Sequence, residues 1–141
     1  MAIKMRYLYF SGKKKVAALG QHVKTKYDLS INSVDVIPPA YSCDKERVVI
    51  IAVSHKGPEL PDQLRLFLRE MTKARSANTA VIIDGDQKAA DAVVGYLREG
   101  GTNVVGSPLF FNGGNIFNSK LSDAEASAVD FWIDSIITSL V

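Results

Sequence analysis

Cysteine is nearly absent from this chain. Cys43 is the only one among 141 residues, so no internal disulfide can form. That fits a reducing compartment, and a cytoplasmic location is the expectation. The start of the chain lacks the charged-then-apolar-then-small pattern of a signal peptide. No apolar run approaches ~18 residues, so no membrane partner is expected. Two histidines and one cysteine supply no metal site at a familiar spacing. An excess of one charge is missing too. A net charge of +2 is too small to point to nucleic acid. The dinucleotide fingerprint Gly-x-Gly-x-x-Gly, the nucleotide loop Gly-x-x-x-x-Gly-Lys-Ser/Thr and the hydrolase elbow Gly-x-Ser-x-Gly do not occur.

What is present reads as one α/β domain over residues 1–141. Its first informative stretch is Tyr7-Leu8-Tyr9-Phe10-Ser11-Gly12-Lys13-Lys14-Lys15-Val16. An apolar strand runs into a Ser-Gly turn that opens onto a helix. Such a turn aims backbone N–H groups and a positive helix end at one point, which is how a phosphate is held. Three lysines there oppose the helix dipole unless an anion is near. A phosphate-bearing ligand is therefore expected. Ser11 serves equally as a helix N-cap.

Further along, apolar runs alternate with helical periodicity. Residues 4–10, 31–37, 47–53, 78–83 and 102–111 read as strands. The uniformly apolar 47–53 run marks a central parallel strand. Pro108 places the last strand at an edge. Helices are expected over 13–26, with Val16, Leu19, Gly20 and Val23 inward, then from Pro61 at the first helical position. A third helix carries Ala89, Ala90, Val93, Val94 and Leu97, and Gly100-Gly101 stops it. The final helix, 121–140, is expected to bury Leu121, Ala128, Trp132, Ile136 and Leu140. The order implies helices on both faces of a five-stranded parallel sheet, strand order 2-1-3-4-5. Ligands in such sheets bind outside the carboxyl ends of strands 1 and 3. The acidic residues that a signalling receiver domain needs there are replaced by Phe10-Ser11 and Val53-Ser54.

In order and spacing the chain resembles the short-chain flavodoxins, with a degenerate phosphate loop. Tyr9-Phe10-Ser11-Gly12 looks like the strand end before the family's phosphate loop. Val53-Ser54-His55-Lys56-Gly57-Pro58-Glu59-Leu60-Pro61 looks like the loop that packs on the flavin ring, and Asp84-Gly85-Asp86-Gln87 like the loop facing it. The resemblance implies a flavodoxin-like three-layer sandwich and FMN as cofactor. The phosphate would lie at Ser11, Gly12, Lys13, Lys14 and Lys15. The ring would lie between Ser54, His55, Lys56, Gly57 and Glu59 on one side and Asp84, Gly85 and Asp86 on the other. It implies a non-enzymatic electron carrier with a redox partner protein.

The family loop reads Ser/Thr-x-Thr-Gly-Asn-Thr, so Lys13 and Val16 stand where threonines are usual. Two lost hydroxyls weaken phosphate binding by about 10²- to 10⁴-fold. A lysine within ~4 Å returns up to ~4 kcal/mol at an effective dielectric near 20. The ring loops carry no aromatic residue, and the sequence pI of about 8.7 is basic where typical members are acidic. The alternative is a flavodoxin-fold binding module that has lost FMN and takes another phosphorylated ligand or a protein partner. Single residues keep two readings as well. His55 is a loop histidine or a stacking platform, and Gly57 a turn glycine or the peptide that turns toward the flavin N5. Glu59 favours the next helix or accepts from the flavin N3–H. Asp84, Gly85 and Asp86 are expected to cap the third helix in either case.

Overall fold

Strand alternation sends odd and even side chains to opposite faces, and here both faces are apolar. A computed structural model describes residues 5–10, 14–27, 29, 34–37, 47–111 and 123–140. Along the chain run β1 (Met5–Phe10), α1 (Lys14–Lys26), β2 (Val34–Val36), β3 (Val48–His55) and α2 (Asp62–Arg69). Then come β4 (Asn78–Gly85), α3 (Gln87–Gly100), β5 (Asn103–Val104), β6 (Leu109–Phe111) and α4 (Asp123–Leu140). The strands are all parallel, in the order β2-β1-β3-β4-β5, with β6 also on β4. The expected α/β class and strand order hold.

Leu8, Val49, Ile51, Val53, Val81 and Ile83 pack with Leu64 and Leu68 of α2 and with Val93 and Leu97 of α3. Tyr7, Ile50, Ala52, Ala80 and Ile82 pack on the other face with Val16, Leu19 and Val23 of α1 and with Val129, Ile133 and Ile136 of α4. Two apolar layers thus hold three layers of backbone together. The fully buried Tyr7 also donates its hydroxyl to the Val16 carbonyl at 2.7 Å, which fixes the first turn of α1 over β1. Burial first, and the neighbouring Tyr9 second, push the Tyr7 phenol well above its usual range.

Several expectations need correction. The last strand is not continuous over 102–111. It divides into β5, beside Asn78 and Thr79, and β6, beside Ile82, Ile83 and Asp84. Pro108, which has no N–H, and Gly106 at φ 69° lie in the gap. Pro61 is the N-cap of α2 rather than its first residue, because its ψ of 147° is extended. On α4 the buried stripe is Val129, Ile133 and Ile136, and Ala128 is exposed. Trp132 is half-buried instead of core, and its indole N–H donates to the Ser107 carbonyl at 2.9 Å. The apolar and small residues of α4 surround the helix, so periodicity alone allows two overlapping stripes. Leu121, residues 31–33, the 38–46 connection and Cys43 lie outside the described residues. Among those described, no helix is long and apolar enough to cross a membrane.

Candidate functional site at the carboxyl edge of the sheet

The three longest strands end together. Phe10 of β1 pairs with Val53 of β3, and β3 runs two residues further, pairing Ser54 with Asp84 and His55 with Gly85. That places the loops after β3 and β4 side by side, next to the β1–β3 reversal where the order of connections changes direction. Gly85 is required by this closeness. A Cβ there would collide with the His55 carbonyl oxygen and lie 2.9 Å from its carbon.

One side chain joins the two loops. Asp86 is the N-cap of α3, and its Oδ1 accepts from the Ala89 N–H at 3.0 Å. The same carboxylate accepts from the Gly57 N–H at 3.0 and 3.1 Å. Gly57 reaches it with φ at 84°, a conformation that L side chains rarely adopt, and nothing lies within 4 Å of where its Cβ would be. The Ala89 amide first, then the Gly57 amide, hold the Asp86 carboxyl below its usual range.

Asp84 behaves differently. It does not cap α3, contrary to expectation. Its side chain is 3% exposed, and the Ser54 hydroxyl donates to its Oδ2 at 3.0 Å. The cap belongs to Asp86, two residues later, because Asp84 still lies within β4 and its side chain turns into the protein.

The structure brings Ser54, His55, Lys56, Gly57 and Glu59 together with Asp84, Gly85 and Asp86 along one edge. Ser54, His55 and Gly57 are half-buried, while Lys56, Pro58, Glu59, Asp86 and Lys88 are exposed. Glu59 lies two residues ahead of the α2 N-cap, and the acidic residue of that helix's first turn is Asp62. Lys14 and Lys15 open α1 as expected, whereas Ser11, Gly12 and Lys13 lie outside the described residues. The loops after β3 and β4 hold no aromatic residue, yet β6 brings one to the same edge. Phe110 pairs with Ile83 and is 41% exposed. The run Leu109-Phe110-Phe111 was visible in sequence, but its register on β4 was not. No metal-holding group of histidine, cysteine or carboxylate side chains occurs among the described residues.

No family model and no curated sequence matches this chain. Among solved structures, a mutant flavodoxin of Fusobacterium nucleatum bound to flavin mononucleotide is similar to it. The TM-score is 0.65 over 97% of each chain, at 12% identity. That similarity gives the chain a flavodoxin-like fold.

Proposed function

We propose that this chain binds FMN at the carboxyl edge of its sheet and works as a small electron carrier rather than an enzyme. The observation that carries the reading is the Asp86 clasp, which fixes the loop after β3 against the loop after β4 through Gly57 at a positive φ. Two exposed loop rims, one hinged on a glycine with open space beside it, suit a flat ring laid across the edge. The FMN named with the similar flavodoxin supports the reading.

FMN, when bound, supplies the storage of electrons. The chain does the rest. The amide groups that open α1 receive the phosphate. Asp86 holds the Lys56–Gly57 peptide still, which leaves the next peptide, Gly57–Pro58, to turn toward the ring. Lys56, exposed on the rim, adds positive charge there and makes the potential less negative. Phe110 covers the ring edge or meets the redox partner protein. A flavin-free module that takes another phosphorylated ligand or a protein partner is the rival, favoured by the lack of an aromatic residue in the loops after β3 and β4 and by Pro58, which has no N–H to offer a ring.

Titration of FMN, followed by flavin fluorescence, tests the reading. Saturable quenching is expected, and Asp86→Ala is expected to weaken it by releasing the Gly57 loop. Fluorescence that stays unchanged at high micromolar protein would overturn it in favour of the module.

A further inference from the structure

Two helices on one face of the sheet carry opposite charge. α4 holds Asp123, Glu125, Asp130 and Asp134 and no basic residue. α1 holds lysines, Lys24 and Lys26 in its last turn among them, and no acidic residue. The two run side by side in the same direction. His22 bonds Asp130 at 2.8 Å, and Tyr27, further along α1, donates to Asp134, further along α4, at 2.8 Å. Their inner sides fill one apolar cluster with the sheet. On the outer side of α4, opposite its buried stripe, stands Phe131, 78% exposed. A lone exposed aromatic does not by itself call for a partner. The charge pattern around it supplies the reason for one.

A two-fold axis along the groove between α1 and α4, parallel to both, lays α1 of one copy across α4 of the other, twice. Rotation about that axis keeps every residue at its own level along the helices. Lys26, exposed and one residue before Tyr27, therefore comes level with Asp134 of the partner subunit. Phe131, one residue past Asp130, comes level with the turn around His22, where Gln21 and Thr25 are exposed. An axis across the helices would instead set acid on acid and lysine on lysine, which repel. We propose that the α1–α4 face is the contact between two copies of this chain, closed by the parallel axis, with Phe131 at its centre. The proposal does not depend on FMN. The face is small. α1, with 13 residues, is ~20 Å long, and packed helices lie ~10 Å apart, so the face offers less than the ~800 Å² per partner of a standard interface. The dimer is therefore weak, and salt dissociates it.

Sedimentation equilibrium of the full chain, at low and at high salt, tests it. Dimers are expected at high micromolar protein in low salt, and fewer in high salt. Phe131→Ser, a change to a water-facing side chain, is expected to weaken the dimer ~10-fold or more. Lys26→Glu and Asp134→Lys are each expected to weaken it roughly tenfold, because each reverses two exposed pairs. Mixed together, these two variants are expected to recover the association, since a mixed dimer holds one native pair and one swapped pair. Tyr27→Phe removes the bond to Asp134 within the chain and keeps every charge, so it is expected to leave the dimer unchanged. A monomer at high micromolar protein in low salt would overturn the proposal. So would association that Phe131→Ser leaves unchanged, or that the mixed charge variants fail to recover. Should Asp134→Lys not fold, the salt series, Phe131→Ser and Lys26→Glu still decide.

Discussion

The two ends of this sheet treat polar groups in opposite ways. At the amino ends of β4 and β5, Ser76, Thr79 and Thr102 are buried and bond one another. The Thr79 and Thr102 hydroxyls are 2.8 Å apart, and Thr102 donates to the Ser76 carbonyl at 2.7 Å. Beside them the chain from α3 to β5 passes so close that a Cβ on Gly100 would lie 2.7 Å from the Arg69 carbonyl. Every hydroxyl there is consumed internally. At the carboxyl ends, Lys56, Glu59 and Asp86 face water, and the loops are tied by a single exposed carboxylate. A buried network that satisfies itself specifies packing. An exposed edge held open by one clasp leaves donors and charges for a ligand. The difference is a physical ground for the site proposed at the carboxyl edge, independent of the similarity of fold.

The largest expected effect comes from Gly85→Ala, which joins the two themes. Its Cβ meets backbone instead of a flexible side chain, so β3 and β4 must part where the site begins. A loss of about 3 kcal/mol or more is expected in urea denaturation, together with loss of flavin quenching. Thr102→Val should cost about 1–3 kcal/mol by stranding the Ser76 carbonyl and leaving the Thr79 hydroxyl with Ser76 Oγ as its remaining partner. It should leave ligand binding intact. If binding falls as much as for Gly85→Ala, the two ends are not independent.

Acid separates them next. The Asp86 carboxyl is held below its ordinary value of 3.8, so its tie contributes stability above that value and loses it as pH falls through the depressed one. The Gly57 amide is expected to lose protection relative to its intrinsic exchange rate in that range, while the amide of Thr102, bonded to the Met71 carbonyl, stays protected. Lys56→Glu is the smallest change. It should make the potential of bound FMN more negative by roughly 20 mV, the scale of an exposed charge, without altering stability. An unchanged potential in a potentiometric titration would remove Lys56 from the ring's surroundings.

Much of the fold was legible because burial on both faces leaves a plain mark. The run Val48-Val49-Ile50-Ile51-Ala52-Val53 has no polar side to present, and it became the central strand. Val16, Leu19 and Val23 each recur on one helical face, and each is fully buried. Where the pattern was ambiguous, tertiary packing decided. Val129 and Ile133 were chosen over Ala128 on α4 because larger side chains fill more of the layer above Tyr7 and Ile50. The site was legible as loops but not as roles. Asp84 and Asp86 look alike in sequence, and only the end of β4 at Gly85 makes one an internal acceptor and the other a cap. Phe110 was hidden because β6 borrows its register from β4 across a break that composition alone does not position.

The most direct test is an amide chemical-shift map of isotopically labelled protein titrated with FMN. The account predicts shifts at Lys14–Val16, at Ser54–Gly57 and at Asp84–Asp86, with Thr79 and Thr102 unmoved. Shifts centred on the amino ends of the strands, or none along the carboxyl edge, would contradict it.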